Sequence, residues 1–556
     1  MKKAKKKPSI KYSCKSHRPM IDFHPKKGDC MGSFVNPINK NFQSEANYKI
    51  FVDKSLIISA LNEIIGSPKK LVCVTRPTRF GKTYVINMLT AYYSKGCDSK
   101  ELFDKLKISK EPSYLSHLNK HNVIRVDIGS ICSIPSNEDY IETIRETLVG
   151  DLINEFPDLD ISPKAKLSET IRQIHNATGE TFIFLIDEWD YLLRTFPDNQ
   201  ELFDSFLVFL RSLFKSVDVM ECIDLVYMTG IMPIKRYRTF SSLNGFSEYT
   251  MLSPKNFAPY IGFTESEVKD LLSKMQSKLR FEDLKMWYDG YRFEGCEDIY
   301  NSESVFNAIF FNHCESYAAS SVASSSIIEG IKNAHINLEV EANILLSGGS
   351  VAIDPSSFDL DFSKIDSKDK GLTLLVHAGW LRYDAGTTSV SIPNKEVADQ
   401  FASAMRRIQW KTTNQIFEAS EDIMASTMNA DEDEVAKAFD KCHEAASTMF
   451  TKNNEDVLST IANLLYYSSR HTHLHLKEPS LGIGRADIVL IPMYKDLYPA
   501  VIIELKVDAD PKEAIEQIKT KRYFEELREY KDSLLLVGIT YNKSTLKHQV
   551  RIEKYQ

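Results

Sequence analysis

Two carboxylates and a lysine near the C-terminus stand where packing alone would not put them. Gly484-Arg485-Ala486-Asp487-Ile488-Val489-Leu490 is followed, after a turn-like stretch, by Ala500-Val501-Ile502-Ile503-Glu504-Leu505-Lys506. Charged side chains interrupting runs of β-branched residues are costly to bury without partners, so their presence on apolar strands points to a use for the charge. Asp487 and Glu504 could hold Mg²⁺ through oxygen ligands while Lys506 orients the attacking water or stabilises a pentavalent phosphate. That is the equipment of metal-dependent phosphodiester cleavage. The plainer reading is an exposed strand end with a surface ion pair.

A second constellation lies in the N-terminal half. The apolar run Leu71-Val72-Cys73-Val74-Thr75 leads through Arg76-Pro77-Thr78 into Arg79-Phe80-Gly81-Lys82-Thr83 and a helical pattern. A strand, a loop ending Gly-Lys-Thr and a helix form the context in which backbone N–H groups and a helix N-terminus cradle phosphates. Lys82 would reach the β/γ oxygens and Thr83 would ligate Mg²⁺. Arg76 occupies the position where the usual pattern has its first glycine. About a hundred residues on, Phe182-Ile183-Phe184-Leu185-Ile186 runs into Asp187-Glu188, placed to hold the Mg²⁺ shell and to orient the attacking water. Thr229, closing the strand pattern Ile223–Met228, is a candidate polar sensor of the γ-phosphate.

Asp487, Glu504 and Lys506 resemble the PD-(D/E)XK nuclease superfamily, whose core is a mixed sheet flanked by helices. The resemblance brings in further candidates: Glu455 at the head of an amphipathic helix (Val457, Leu458, Ile461, Leu464, Leu465), Glu478 just before the aspartate strand, and Gln517 and Tyr523 on the helix expected after Pro511. The expected order over 451–556 is helix, strand, strand, helix, strand. The phrases Thr75-Arg76-Pro77-x-Arg79-Phe80-Gly81-Lys82, Phe51-Val52-Asp53-Lys54-Ser55 and Leu185-Ile186-Asp187-Glu188-x-Asp190 are similar to the AAA-ATPase-like family fused to such a nuclease domain. In that family arginine takes the first-glycine position; Thr78 departs from it, since the family's phrase carries a further arginine there. The resemblance implies ATP and Mg²⁺ as cofactors, and Arg79, Phe80, Gly81, Lys82, Thr83, Asp187 and Thr229 as nucleotide-binding residues.

The elements that must position these residues divide the chain. Strand patterns at Leu71–Thr75, Val123–Asp127, Phe182–Asp187, Ile223–Met228 and Glu248–Leu252 alternate with helical stretches, which predicts an α/β sandwich with a mostly parallel sheet, of the P-loop NTPase (AAA-like) kind, over 46–260. Residues 261–400 read as a mainly helical lid or adaptor with the strand-like piece Thr388–Ile392, and 401–450 as a helical connector to the nuclease-like 451–556. Residues 1–45 form a basic arm expected to be disordered. Its first 27 residues carry a net +9, so the remainder of the chain carries −16 to reach the formal −7. An acidic bulk gives no global attraction for nucleic acid, so binding would need a local basic groove, for which Lys519, Lys521 and Arg522 are candidates.

Composition bounds the rest. The 556 residues are 43% hydrophobic and 26% charged, ordinary for a globular multidomain chain. No apolar run approaches a membrane span, and the nine cysteines include no C-x-x-C pair, which favours reduced thiols and an intracellular, cytoplasmic or nuclear setting. Two patterns receive plain readings: His471, His473 and His475 as an exposed strand face rather than a metal site, and Arg236 and Arg238 as a solvated turn rather than an arginine finger. The leading functional expectation is an ATP-hydrolysing protein whose nucleotide state gates Mg²⁺-dependent cleavage of nucleic acid, DNA ahead of RNA, with a homo-oligomer as an open assembly state and no membrane partner. The alternatives are a signalling-type ATPase whose C-terminal domain binds nucleic acid without cutting it, and a non-enzymatic nucleic-acid adaptor that binds ATP without hydrolysing it.

Overall fold

A computed structural model describes residues 34–133, 139–234, 243–317, 336–358, 365–408, 410–446, 455–481 and 484–555. The N-terminal half is built on five parallel strands, β1 (Leu71–Thr75), β2 (Asn122–Asp127), β3 (Phe182–Asp187), β4 (Ile223–Gly230) and β5 (Ser247–Tyr249), in the spatial order β2-β3-β4-β1-β5. Every residue of β1 and β3 is buried, as expected where helices cover both faces of a parallel sheet. The parallel arrangement brings the C-terminal ends of the strands to one edge. There β1 passes into the loop before α1 (Lys82–Tyr93), and β3 ends at Asp187. β5 is shorter and begins one residue earlier than the expected Glu248–Leu252, because Thr250 turns back to bond Ser253.

Residues 34–46 depart from the disordered arm. Val35 and Phe42 are fully buried, Val35 bridges Ile124 of β2, and Lys40–Ala46 is a helix packed on α1. Apolar side chains with a prepared surface to cover outweigh the ordering cost here. Residues 1–33, with most of the arm's charge, lie outside the described residues, as do Arg236, Arg238 and the Ser/Ala-rich stretch 318–326.

The middle region is helical, with short strands such as Ser389–Ser391, and it packs onto the loop between β1 and α1. The helix α2 (Ser302–Phe311) begins against it: Ser302 Oγ and the Glu303 N–H both donate to the Arg79 carbonyl, at 3.1 and 3.2 Å. Gly379 approaches Pro77 so closely that a Cβ there would lie 2.6 Å from the ring. Tyr291 links the two contacts, its hydroxyl bonding the Gly379 carbonyl at 2.6 Å and its ring meeting Phe80 edge-on.

The C-terminal sheet is mixed, in the order β6 (His473–Lys477), β7 (Ile488–Pro492), β8 (Val501–Val507), β9 (Leu535–Asn542), β10 (Lys547–Lys554). Only β8 and β9 run parallel, with α6 (Pro511–Thr520) crossing between them. One face is covered by α4 (Glu432–Ala446) and α5 (Glu455–Leu465), with α3 (Lys411–Met428) packed on both. The sheet has two strands more than expected, β6 and β10, one at each edge. Alternation along β8 decides its faces: Val501, Ile503 and Leu505 join the core shared with the N-terminal half, while Ile502 joins a second core beneath α6. Glu504 and Lys506, in phase with Ile502, therefore face α6. Among the described residues no helix is long and apolar enough to cross a membrane.

Candidate active sites

The loop after β1 is shaped by two residues in the left-handed region, Arg79 (φ 68°) and Gly81 (φ 87°). Glycine tolerates this freely; at Arg79 it stores strain of about 1 kcal/mol, held by the α2 contacts to its carbonyl. The Arg79 guanidinium reaches the Tyr317 carbonyl at 2.7 Å and Glu303 at 3.6 Å. Phe80 is buried, and its carbonyl accepts from the Gly262 N–H. Lys82 is almost fully buried, and its ammonium donates to the carbonyls of Arg76 (3.1 Å) and Pro77 (2.7 Å). Burial lowers its pKa to about 8, partly opposed by Asp187. Thr83 Oγ1 donates to Asp187 Oδ2 at 2.6 Å, so an alcohol and a carboxylate oxygen, both hard donors that suit Mg²⁺, already meet.

Glu188 follows with φ 52°, a conformation that turns its side chain out of the strand toward the loop. Burial pushes its carboxyl up, and Arg194 opposes this. Burial also raises Asp187. Thr229, on β4 beside β1, is fully buried with its hydroxyl unpartnered. A cavity of ≈ 730 Å³ opens from the loop, lined by polar and charged residues, Lys82, Thr83 and Glu188 among them, and by aromatic ones, Tyr48, Phe51 and Phe306. Charged groups in the lining suit phosphates and the aromatic ones a flat apolar ring.

At the second site Asp487 enters β7, and its Oδ2 accepts from the Leu505 N–H at 2.7 Å, which fixes the carboxylate against β8. Glu504 is 3% exposed. Burial, reinforced by the Asp487 charge, raises its pKa to about 8. One of its oxygens accepts from Gln517 of α6, and the other is buried without a partner. Lys506 Nζ donates to Gln517 Oε1 at 2.7 Å, so the amide stands between the carboxylate and the ammonium. Glu455 and Glu478 sit within charge reach of Asp487, both raising its pKa after the larger effect of burial. Tyr523 begins the 3₁₀ segment after α6 instead of riding the helix, and its hydroxyl holds the Arg485 carbonyl at 2.5 Å. A buried carboxylate oxygen with no donor, beside a second carboxylate, fits a divalent cation.

Residues 40–240 match the family described as "Predicted AAA-ATPase", and residues 454–550 match the PD-(D/E)XK nuclease superfamily. The chain joins an AAA-ATPase-like domain to a PD-(D/E)XK nuclease superfamily domain. An uncharacterized protein in the vnfD 5′ region of Azotobacter chroococcum mcd 1 is 24% identical over 234 residues, which is 41% of this chain and 43% of that protein. The chain thus matches less than half the length of that relative. The solved structure of the Aeropyrum pernix ORC2 protein (ADPNP-ADP complexes) is similar over 66% of this chain and 93% of that one, at 10% identity and a TM-score of 0.30. That likeness is too distant to bear on function.

Around these two domains several readings change. The histidines form no exposed face: His471 is exposed in a 3₁₀ turn, His473 is buried and bonds the Pro499 carbonyl at 2.9 Å, and His475 bonds Ser469 Oγ at 2.8 Å. Among the described residues no three His, Cys, Asp or Glu side chains are arranged to hold a metal. Beside the nuclease-like site Lys519, Lys521 and Arg522 are all exposed, but Lys519 is paired with Glu553 at 2.8 Å and Arg522 lies 3.5 Å from Glu525, which offsets part of the basic charge of the expected groove. Sequence reasoning missed Ser302 and Glu303, which come to the ATPase-like loop from more than two hundred residues away, and Arg194, seven residues beyond Asp187. No local motif marks any of them.

Proposed function

We propose that the protein binds and hydrolyses ATP at Arg79–Thr83, Asp187, Glu188 and Thr229, and cuts phosphodiester bonds of nucleic acid, DNA before RNA, at Asp487, Glu504 and Lys506, with nucleotide state gating the cut. The observation that supports this reading most is the partnerless buried oxygen of Glu504 beside Asp487, on a chain whose Thr83 and Asp187 also meet. In the ATP step, the Lys82 ammonium would exchange the Arg76 and Pro77 carbonyls for β/γ-phosphate oxygens, and Glu188 would take the proton of the attacking water. In the nuclease step Lys506 would leave Gln517 and place its charge on the developing phosphorane. Mg²⁺, held by Thr83 and Asp187 at one site and Asp487 and Glu504 at the other, would supply charge neutralisation and Lewis acidity. Glu455 and Glu478 are the nearest additional acids. Assembly of several copies and an intracellular setting belong to the same proposal.

A second reading, nucleic-acid binding without cleavage, is favoured by one observation: no third ligand joins Asp487 and Glu504 among the described residues. An assay on linear and circular DNA and on RNA, with Mg²⁺ and with or without ATP, separates the two. Cutting that disappears in Asp487→Ala supports the first; retention of nucleic acid with no cutting by the wild type supports the second.

A further inference from the structure

Glu45 lies near the C-terminal end of the helix Lys40–Ala46, and the N–H of Tyr48 donates to its carbonyl at 3.1 Å, which keeps the two residues on one turn. Both line the cavity that opens from the loop after β1. Asn87 of α1 donates through Nδ2 to Glu45 Oε1 at 2.8 Å, anchoring the carboxylate on the helix that follows the loop. The other oxygen, Oε2, is buried with no partner. A carboxylate oxygen shut away from water without a donor costs stability, and a ligand that brings the donor recovers that cost.

Neighbouring polar side chains of the lining are committed elsewhere. The Tyr84 hydroxyl donates to the Val52 carbonyl at 2.9 Å, and the Ser44 hydroxyl to the Lys40 carbonyl at 3.0 Å. Lys54 is turned to Glu267 and to the Pro259 carbonyl, the latter at 2.7 Å. Aromatic rings complete the surroundings of Glu45. Tyr48 and Phe306 stack with centroids 5.7 Å apart and planes 27° from parallel, and Phe51 meets Tyr84 at 6.3 Å. Tyr48 is 40% exposed, so part of this ring surface is open to a flat partner.

We propose that Glu45 is the base-recognising residue of the nucleotide site, its carboxylate accepting from the exocyclic amine of a 6-aminopurine whose ring lies against Tyr48 and Phe306. The proposal rests on the ATP-binding reading above. The amine supplies the N–H that Oε2 lacks, whereas a 6-oxopurine in the same place sets a carbonyl's lone pairs against the carboxylate. Glu45 meets the base by turning about its last side-chain torsion, which is soft in glutamate. Base recognition and phosphate binding thus fall to different residues of one cavity, Glu45 for the first and Lys82 for the second.

The test is equilibrium binding to the full chain of four probes: ATP, purine riboside triphosphate, which lacks the amine, ITP, which has a 6-oxo group in its place, and inorganic tripolyphosphate. Burial raises the Glu45 pKa, opposed by the Asn87 bond and the Arg125 charge, so the measurements belong at pH 8, where the carboxyl is ionised. Wild type should bind ATP ~10-fold or more tighter than either analogue, the worth of one hydrogen bond to a charged group. Glu45→Ala should bind ATP and purine riboside triphosphate alike, and tripolyphosphate as wild type does. Equal affinity of wild type for ATP and purine riboside triphosphate, or an undiminished preference for ATP in Glu45→Ala, would overturn the proposal. So would a loss in Glu45→Ala that extends equally to tripolyphosphate, since Glu45 would then act only on the structure. Should Glu45→Ala not fold, Glu45→Gln replaces it: a neutral amide is the weaker acceptor, so the preference should shrink, and an unchanged preference overturns the proposal. A wild type that binds neither ATP nor tripolyphosphate would instead bring down the ATP-binding reading, and this proposal with it.

Discussion

In the proposed ATP hydrolysis Lys82 and Glu188 would serve one reaction through different chemistry, and their substitutions should separate accordingly. Lys82→Ala removes the buried ammonium that would face the β/γ-phosphates and should abolish ATP binding, measurable by titration calorimetry. Glu188→Gln keeps shape and hydrogen-bonding capacity but not the base, so binding should persist while hydrolysis falls by ~10²-fold or more. Undiminished turnover in both would remove the ATPase assignment. Glu504 gives a prediction in pH. Its carboxyl sits at about 8 in the fold against 4.5 in the unfolded chain, so between those values the native state binds the extra proton, and metal-free stability falls as pH rises through that window. A cation shared with Asp487 favours the ionised form, so the rise in Tm on adding Mg²⁺ should be larger at pH 8 than at pH 6. Glu504→Gln should flatten both effects; equal Mg²⁺ shifts in wild type and variant at both pH values would contradict the metal assignment. The motif residues themselves are legible in sequence: Asp187, Asp487, Glu504 and Lys506 because charge ends or interrupts apolar runs, and Lys82 and Thr83 because Gly-Lys-Thr stands between a strand and a helix. Arg194 is not, because an arginine on an amphipathic turn looks the same whether it meets water or a carboxylate.

At the scale of elements, close approaches fix the sites. A methyl at Gly129 would meet Glu188 Oε2 at 2.8 Å and the Tyr191 ring at 3.1 Å. Gly129→Ala should therefore fold and bind ATP but turn it over more slowly, since the flexible carboxylate is what gives way; unchanged kcat would show that Glu188 has room to spare. Gly230 is tighter, its added Cβ falling 2.5 Å from Trp189 and 2.6 Å from Asp190, both fully buried. Gly230→Ala should lower Tm by several degrees, as substitutions that overpack a core cost ~1–3 kcal/mol; an unchanged melting curve would contradict this packing. The parallel strands were readable from continuous apolar runs, which only a sheet covered on both faces needs. Edge strands were less so. β6 is buried only at its first residue, His473, and has no clear period, whereas β10 alternates buried His548, Val550 and Ile552 with more exposed residues, a period of two in which a histidine stands for one of the apolar side chains. The helix Lys40–Ala46 was hidden by the basic stretch before it.

Across the whole molecule, the middle region contacts both the loop after β1 and the segment that leads into β6. Arg79 and Pro77 are held by α2 and by Gly379, and a C=O of the nuclease-like side, that of Arg470, accepts from Lys395 at 2.7 Å, next to Asn394, which bonds the Asp289 carbonyl at 2.7 Å. The core is continuous from Val35 to Ile552. Such a chain of contacts permits coupling without proving it, because coupling requires an element whose equilibrium both sites bias. None of this was visible in the sequence, since contacts over such separations leave no local pattern. The most direct measurement is the rate of Mg²⁺-dependent DNA cleavage by wild type, Lys82→Ala and Glu188→Gln, each with and without ATP. Gating predicts that Glu188→Gln with ATP, trapped before hydrolysis, cuts at a rate several-fold different from wild type, as a coupling of ~1–3 kcal/mol requires, while Lys82→Ala ignores ATP. Equal cleavage rates in all six conditions would contradict it.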